Sequence, residues 1–274
     1  MRLALGVLLL AACRAPHSDA PKTETETDAA TETETEADAA TVTEAATDAA
    51  TEAAAATAPR REKIGPFETI MMPNRTVWYA LPRAEDGHRL VAHLHGQCAP
   101  PVYSCGSWID AGAEYGFMVC PTGNEHCNDS GMGPAMWDES FALMDSDLER
   151  GIAVVQRKTD GGIDRDGAVL TGFSRGGWAA IDLVRRHPGR WPYLVLIEAD
   201  VTINKAYLEA SKVRAVAMVA GEHGTELAGE RKSVDAMKDA GYPAELYVMP
   251  DTAHLYSTNI DEIMRQALAF VLAH

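Results

Sequence analysis

The chain has 274 residues, 46% of them hydrophobic, and a formal net charge of −16 at pH 7. With 40 acidic against 24 basic side chains and no long basic stretch, the composition excludes nucleic acid as a partner, because the phosphate backbone would be repelled. The first 63 residues do not have the composition of a folded domain. Residues 64–274 are therefore predicted to form a single domain, long enough to bury a substantial core.

The N-terminus has the pattern of an export signal. Arg2 supplies a positive start, and Leu3–Ala12 is an apolar run about half as long as the ~20 residues that span a membrane, so residues 1–12 are predicted to be a cleaved signal. The run ends in Leu10-Ala11-Ala12-Cys13, which resembles the lipobox of bacterial lipoproteins. The resemblance implies that Cys13 is diacylated and anchors the protein in the cell envelope, facing the periplasm or the exterior. An ordinary signal peptide with a chance cysteine is the alternative.

A low-complexity segment follows the signal. Residues 23–57 contain only Thr, Glu, Asp and Ala, apart from Val42. Such a stretch cannot bury enough apolar surface to offset the entropy of ordering its backbone, and its like charges repel one another. Residues 13–63 are therefore predicted to be a disordered tether between the anchor and the domain.

Residues 64–274 alternate short apolar runs with helical patterns, which predicts an α/β fold with a mostly parallel sheet. The predicted strands are Glu68–Met72, Thr76–Leu81, Leu90–His95, Phe117–Pro121, Gly167–Thr171, Tyr193–Ile197, Val213–Ala220 and Ala244–Met249. The predicted helices are Ser107–Tyr115, Phe141–Arg157, Arg175–His187, Glu226–Ala240 and one from about Asn259. Glycine motifs for dinucleotides or phosphates do not occur in the sequence, so no cofactor is predicted.

Four cysteines fall within thirty residues of this domain: Cys98, Cys105, Cys120 and Cys127. An even number in an exported chain predicts two disulfides. Because the cysteines are close in sequence, we expect the local pairs Cys98–Cys105 and Cys120–Cys127. The alternative is a zinc site that combines the thiols with His93, His95 or His126. No CxxC or HExxH spacing supports it, so no metal is predicted.

The sequence Gly172-Phe173-Ser174-Arg175-Gly176 fits the pattern G-x-S-x-G between a predicted strand and a predicted helix. A sharp turn of this kind exposes the serine, and the glycines let neighbouring backbone approach it. A serine hydroxyl becomes a useful nucleophile only beside a base, and the following helix N-terminus favours a nearby oxyanion. Ser174 is therefore a candidate nucleophile. A glycine-rich turn that merely ends a strand is the alternative.

Two further motifs accompany the serine. His93-Leu94-His95-Gly96-Gln97-Cys98 ends an earlier predicted strand, and His254 lies in a loop after the last one. With these motifs in this order, residues 64–274 resemble the α/β-hydrolase family, in particular polyhydroxyalkanoate depolymerases and feruloyl or acetyl-xylan esterases. The resemblance implies the α/β-hydrolase fold with His254 as general base. It also implies an oxyanion hole made by the backbone N–H groups of Gln97 and Arg175.

The acid that partners His254 is not fixed by the pattern. The resemblance implies an Asp three residues after Gly221, but that position is Gly224. Glu222 and Glu226 flank it, and we rank Glu222 first.

Other positions for the acid stay open. Some members of the family place it one strand earlier, where Glu198 and Asp200 stand, and Asp200 is the second choice. Asp251 is a more remote alternative. A serine–histidine dyad without an acid is the last one.

Two segments bear on the substrate. Residues 198–212 are short where such enzymes often insert a lid, so an open site without a large lid domain is expected. The loop Asn124–Trp137 carries Met132, Met136 and Trp137. These side chains form either a wall for an acyl or aryl group, or ordinary packing beneath a disulfide-stapled loop.

Together the motifs predict an extracytoplasmic serine hydrolase that cleaves carboxylic esters through an acyl-enzyme. We expect a monomer that acts on a small or polymeric ester without cofactor or metal and meets the membrane only through its lipid anchor. A serine peptidase of the same fold is one alternative, although the N-terminal propeller usual for such peptidases is not predicted. A catalytically inactive binding lipoprotein is the other, suggested by Gly224 in the position of the acid.

Overall fold

The computed structural model describes residues 68–72, 75–84, 87–128, 133–138, 140–199 and 201–274. The predicted signal at 1–12, the predicted lipidation site Cys13 and the predicted tether at 13–63 lie outside these ranges. Within the described ranges, no helix combines the length and the apolar character needed to cross a membrane.

Eight strands form one sheet. They are β1 (Glu68–Met71), β2 (Thr76–Ala80), β3 (Arg89–Leu94), β4 (Phe117–Pro121), β7 (Asp164–Phe173), β8 (Tyr193–Ile197), β9 (Ala215–Gly221) and β10 (Ala244–Met249). Their spatial order is β1-β2-β4-β3-β7-β8-β9-β10. All neighbours from β4 to β10 pair in parallel, whereas β2 is antiparallel to both β1 and β4. Two short strands, β5 (Glu125–His126) and β6 (Ala135–Met136), form a separate ribbon.

Helices cover both faces of the sheet. One face packs on α3 (Phe141–Lys158), α4 (Arg175–Arg186), α5 (Lys205–Ala210) and α6 (Leu227–Asp239). The other packs on α2 (Ile109–Tyr115) and α7 (Ile260–Leu272), with the short α1 (Pro101–Ser104) leading into α2 through a 3₁₀ turn. The connection from β3 to β4 runs in one direction along the sheet, and the later connections run in the other. Because crossovers between parallel strands are right-handed, helices on connections that run in opposite directions lie on opposite faces of the sheet.

The central strands are apolar along their whole length because both of their faces are covered. In β8, Leu194 and Leu196 face the α3–α4 side, whereas Val195 and Ile197 face the α7 side. This alternation is the period of two expected for a strand. Each such fully buried side chain stabilises the fold by about 1.5–3 kcal/mol, so the central strands are rigid supports for the loops that follow them.

The predicted fold class is confirmed, and all eight strands of the main sheet were predicted to within a few residues. β7 begins earlier than predicted, at Asp164, because its first residues lie at an exposed end of the sheet and carry no apolar pattern. The helix α5 was not predicted within residues 198–212. It is only six residues long, and its start is set by Asn204, whose side chain accepts the N–H of Tyr207 at 2.9 Å.

The predicted disulfide pairing is wrong. Cys98 is bonded to Cys127, and Cys105 to Cys120, with Cα–Cα distances of 5.6 and 6.6 Å. The reason is that β4 returns beside β3, so residues after β3 meet residues from β4 and beyond rather than their near neighbours in sequence. All four thiols are used in these bonds, which also rules out the alternative of a cysteine–histidine zinc site.

Candidate active site

The motifs identified in the sequence meet where the order of strands reverses. From β3 the chain crosses to β4 on one side, and from β7 it crosses to β8 on the other, although β3 and β7 are adjacent. In open α/β sheets, ligands bind beyond the carboxyl ends of the strands at such a reversal. β3 leads into the turn 95–98, and β7 ends directly before Ser174.

Ser174 lies on a strained turn between β7 and α4. Its backbone has φ 50° and ψ −116°, which residues other than glycine rarely adopt. Its N–H donates to the carbonyl of Ile197 at 2.8 Å, which holds the turn to the end of β8. A Cβ at Gly176 would lie 1.9 Å from the carbonyl oxygen of Leu94, so only glycine lets α4 begin this close to β3. The turn therefore presents the hydroxyl at the edge of the sheet, as G-x-S-x-G predicts.

His254 reaches Ser174 from the loop between β10 and α7. Its Nε2 lies 2.9 Å from the Ser174 hydroxyl oxygen, although 80 residues separate the two in sequence. The imidazole packs against the ring of Phe173, with ring centroids 5.2 Å apart. The loop is tied to its neighbour by the N–H of His223, which donates to the carbonyl of Thr252 at 2.8 Å. The structure thus brings together the predicted nucleophile and the predicted base.

The carboxylate at the other ring nitrogen belongs to Glu198, which directly follows β8. Its Oε2 lies 3.1 Å from Nδ1 of His254, and the residue is 1% exposed. Its Oε1 accepts the N–H of Gly221, and its own N–H donates to the carbonyl of Val219 at 2.8 Å. Burial raises the pKa of Glu198, while the hydrogen bond from Gly221 and the charge of His254 offset part of this rise. A proton held on Nδ1 by Glu198 leaves Nε2 as the acceptor for the serine hydroxyl.

The acid ranked first from the sequence, Glu222, does not occupy this position. Its side chain is exposed and accepts the N–H of Asp251 at 3.2 Å. Glu226 does approach His254, with its Oε1 3.5 Å from Nδ1, and is a second, longer contact. Asp200 lies outside the described residues. In the structure, the described carboxylate closest to Nδ1 of His254 is therefore that of Glu198, not that of Glu222.

Gly224 explains how glutamate can replace the expected aspartate. A Cβ at this position would lie 3.1 Å from Oε2 of Glu198, closer than most side-chain contacts. The volume that an Asp at position 224 would fill is thus taken by the longer side chain of Glu198, arriving from the adjacent strand. A glycine in the expected position of the acid is therefore no sign of a missing carboxylate.

The predicted oxyanion amides lie at the ends of β3 and β7. The N–H of Arg175 is the first of α4 and has no carbonyl one turn earlier to accept it. The N–H of Gln97 follows the carbonyl of Gly96, which is held by Nδ1 of His95 at 2.8 Å. Nε2 of His95 accepts the N–H of Gly123 at 2.8 Å, so the ring proton is on Nδ1. Because a trans peptide is planar, the fixed Gly96 carbonyl makes the N–H of Gln97 point the opposite way.

Within the loop 124–137, the side chain of Trp137 packs beneath the turn 95–98 and does not line an open pocket. That indole is 1% exposed, stacks on His95 at 4.7 Å and donates to the His95 carbonyl at 2.9 Å. Met136 is half-buried, and its sulfur accepts the side-chain amide of Gln97 at 3.2 Å. Met132 lies outside the described residues.

A buried hydrogen-bond chain supports the site from below, and the sequence analysis missed it. The hydroxyl of Thr171 donates to a backbone carbonyl at 3.1 Å, so it accepts from Nδ1 of His93 at 2.7 Å. Nε2 of His93 then accepts the hydroxyl of Ser104 at 2.7 Å, which in turn accepts that of Tyr256 at 2.9 Å. Tyr256 packs on Phe173 beside the nucleophile. The only signal in the sequence was the pair of histidines at the end of β3.

Burial of two neutral histidines should make the fold sensitive to mild acid. Burial lowers the pKa of His93 to about 3 and that of His95 to about 4, from an ordinary value of 6.5. Below pH 6.5 the unfolded chain therefore binds more protons than the folded one, and each histidine should lower the free energy of unfolding by about 1.4 kcal/mol per pH unit. We expect this loss in urea unfolding curves between about pH 6.5 and 5.

The variant His93→Gln tests the assignment. It should remove about half of the slope contributed by the two histidines, whatever its stability at neutral pH. Burial raises the pKa values of Glu149 and Asp182, but their arginine partners together lower them below the ordinary values, so the stability that these carboxylates contribute is lost only at a lower pH. A stability that stays constant down to pH 5 would show that the two rings are not buried in neutral form.

Two groups of described residues bring three potential metal ligands within 4.8 Å of one another. One comprises Glu198, Glu226 and His254, and the other is the exposed group Glu222, His223 and Asp251. In the first group both carboxylates already contact Nδ1 of His254, and exposed acidic groups of the second kind are common without a metal. Neither group gives an independent reason to assign a metal.

Comparison of the sequence with protein-family models and with curated proteins gave no match. Solved structures do match at the level of the fold. A ferulic acid esterase has 19% identity over 76% of this chain and 96% of its own, with a TM-score of 0.52. A fluorophosphonate-binding serine hydrolase of Staphylococcus aureus has 12% identity over 75% and 97%, with a TM-score of 0.53. A feruloyl esterase module of Clostridium thermocellum has 15% identity over 74% and 86%, with a TM-score of 0.52.

These similarities and the strand order define the class of protein: the chain has the α/β-hydrolase fold. At identities of 12–19% they show the fold alone. What the chain does must therefore be argued from its own residues at the site.

Proposed function

We propose that the protein is a serine hydrolase that cleaves carboxylic esters through an acyl-enzyme intermediate. The observation that carries the proposal is the hydrogen-bonded series from Ser174 through His254 to Glu198, with contacts of 2.9 and 3.1 Å. A buried carboxylate, an imidazole and a serine on a strained turn are here joined by hydrogen bonds in one series. Nucleophilic catalysis by serine uses such a series.

In the proposed mechanism, the Ser174 oxygen attacks the ester carbonyl while its proton passes to Nε2 of His254. Glu198 stabilises the imidazolium by accepting a hydrogen bond from Nδ1–H throughout, while the proton stays on the ring. The tetrahedral oxyanion accepts hydrogen bonds from the N–H groups of Gln97 and Arg175. The C–O bond to the alcohol then breaks, and His254 returns the proton to the departing oxygen. A water molecule then attacks the acyl-enzyme through the same series of steps, and the carboxylic acid product is released.

Esters are favoured over peptides as substrates by the solved structures of similar fold, two of which are named as esterases of ferulic or feruloyl type. An alkoxide or phenolate is a better leaving group than an amine, so its departure needs less assistance from the groups of an exposed site. His254 is 45% exposed at its side chain, so a bulky or polymeric alcohol would have room to leave.

Covalent labelling tests the proposal directly. A fluorophosphonate probe should label the wild-type protein at Ser174, as peptide mass spectrometry would show, and the same protein should hydrolyse p-nitrophenyl acetate. The probe reacts with activated serines only, because it needs the base and the oxyanion hole together. A folded protein that neither reacts with the probe nor turns over esters would support the rival view, an inactive binding protein.

We further propose that the enzyme works outside the cytoplasm, tethered through Cys13 by residues 13–63. Two disulfides support an oxidising compartment. The variant Cys13→Ser should move the protein from the detergent phase to the aqueous phase in Triton X-114 partitioning, because the acyl chains would be the source of its membrane affinity. A wild-type protein that is already aqueous, with an unmodified N-terminus by mass spectrometry, would contradict the lipid anchor.

A further inference from the structure

We propose that the disulfide Cys98–Cys127 is a positioning element for catalysis, which holds the Gln97 amide of the oxyanion hole in place and thereby sets kcat. The inference rests on the proposed function and adds a residue pair to its machinery. It starts from the position of the bond, since Cys98 directly follows Gln97 and its side chain is bonded to a separate loop.

The turn that carries Gln97 has little support of its own. Cys98 has φ 53°, in the left-handed region that costs a residue with a side chain free energy. The hydrogen bond that closes the turn, from the N–H of Ala99 to the carbonyl of Gly96, is long at 3.3 Å. Gln97 and Cys98 are both exposed, so they gain little from burial in the core. The conformation of the turn must therefore be held from outside.

Cys127, to which Cys98 is bonded, is held by a backbone hydrogen bond next to the β5–β6 ribbon. The N–H of Cys127 donates to the carbonyl of Pro134 at 3.0 Å, which extends the β5–β6 ribbon. The segment before Cys127 also holds the other side of the turn, since the N–H of Gly123 donates to His95 at 2.8 Å. The Gln97 peptide thus lies between a hydrogen-bonded anchor at His95 and a covalent anchor at Cys98. Loss of the covalent anchor would leave one end of the oxyanion turn free to move.

The second disulfide provides a matched control in the same chain. Cys105 and Cys120 are 0% and 1% exposed and join the helical segment after α1 to β4, within the core cluster beneath α7. Cys98 is exposed and Cys127 is half-buried. The two bonds therefore differ both in their distance along the chain from the oxyanion amide and in their access to a reductant.

The test compares the variants Cys98→Ser/Cys127→Ser and Cys105→Ser/Cys120→Ser in turnover of p-nitrophenyl acetate. The first should lose about 10- to 100-fold in kcat with little change in KM, because a displaced donor weakens binding of the oxyanion and not of the substrate. Its affinity for a trifluoromethyl ketone, whose hemiketal oxyanion occupies the same hole, should fall in parallel. The second variant should have a lower Tm and a kcat close to that of the wild type.

Reduction of the intact protein gives the same comparison without mutation. A phosphine is oxidised to its oxide, with oxygen from water, while the disulfide takes up two electrons and two protons and becomes two thiols. Alkylation and mass spectrometry should find Cys98 and Cys127 modified before Cys105 and Cys120. The loss of kcat should follow the first pair and reverse on reoxidation.

Several results would overturn the inference. An unchanged kcat in a folded protein that lacks the Cys98–Cys127 bond would do so, and so would an equal loss of kcat in both variants. Neither of these two results would contradict the proposed function, provided that the oxidised wild-type protein reacts with a fluorophosphonate and turns over esters. An oxidised wild-type protein without either activity overturns the proposed function, and this inference with it.

Discussion

The variant Ser174→Ala should lose at least about 10⁴-fold in kcat/KM for p-nitrophenyl acetate, because covalent catalysis has no other nucleophile in this site. The change removes one oxygen atom and leaves the backbone turn and its glycines as they are. We therefore expect an unchanged circular dichroism spectrum and a Tm close to that of the wild type. Activity assays and thermal unfolding of the same preparation check the two halves of the prediction.

Ser107→Ala is a suitable control, since that hydroxyl donates to the carbonyl of Tyr103 at 2.6 Å. It should keep full activity and full labelling by a fluorophosphonate. Ser174→Ala should not be labelled at all. Near-normal turnover by a folded Ser174→Ala protein would refute the serine mechanism, whatever the geometry of His254.

The sequence was sufficient for the parts of the site that depend on local rules. A serine between an apolar strand and a helix, flanked by glycines, permits few backbone conformations, and the observed φ of 50° at Ser174 is one of them. His254 could be placed because its loop follows the last strand, and parallel strands bring all such loops to one edge of the sheet. These predictions needed no knowledge of distances between elements.

The acid could not be found in this way, because the choice depends on contacts between neighbouring strands. Glu198 and Glu222 follow β8 and β9 at the same edge of the sheet, and both have a side chain long enough to reach inward. What selects Glu198 is a backbone bend with φ 51°, stabilised by the hydrogen bond from the next amide, that of Ala199, to Glu230 at 2.9 Å. No propensity rule predicts a glutamate in the left-handed region, and Glu230 lies 32 residues further along the chain.

The predicted disulfide pairing was wrong for a related reason. Closeness in sequence favours local pairs, but the direction of each cysteine is set by its element. Cys105 points into the core, where β4 presents Cys120, whereas Cys98 points out to the loop that carries Cys127. Pairing therefore followed the topology of β3 and β4, which the strand pattern alone does not give.

The variant Glu198→Gln should have the second-largest effect, a loss of about 10³-fold or more in kcat with KM little changed. A neutral amide no longer stabilises the imidazolium that forms at His254, and its NH₂ group can favour the wrong ring tautomer. In a serine protease, the analogous change of aspartate to asparagine lowers kcat by about 10⁴-fold. We expect a smaller loss here because Glu226 still lies 3.5 Å from the same nitrogen and can take over part of the role.

Two further glutamates provide the controls. Glu222→Gln removes a charge from the adjacent strand end, where the carboxylate contacts the N–H of Asp251 and not the imidazole, and it should leave kcat within about two-fold of the wild type. Glu226→Gln should cost about 10-fold or less. The double variant Glu198→Gln/Glu226→Gln should be less active than either single variant and approach the full loss of about 10⁴-fold.

The order of these activities decides which carboxylate serves the site. Glu198 is anchored by the N–H of Gly221 and buried from water, so its charge acts on His254 with less solvent screening than that of the exposed Glu222. A crippled Glu222→Gln with an active Glu198→Gln would mean that the loop after β9 rearranges when substrate binds. If both single variants and the double variant keep near-normal kcat, His254 acts without an acid, and the close contact of 3.1 Å to Glu198 serves the fold alone.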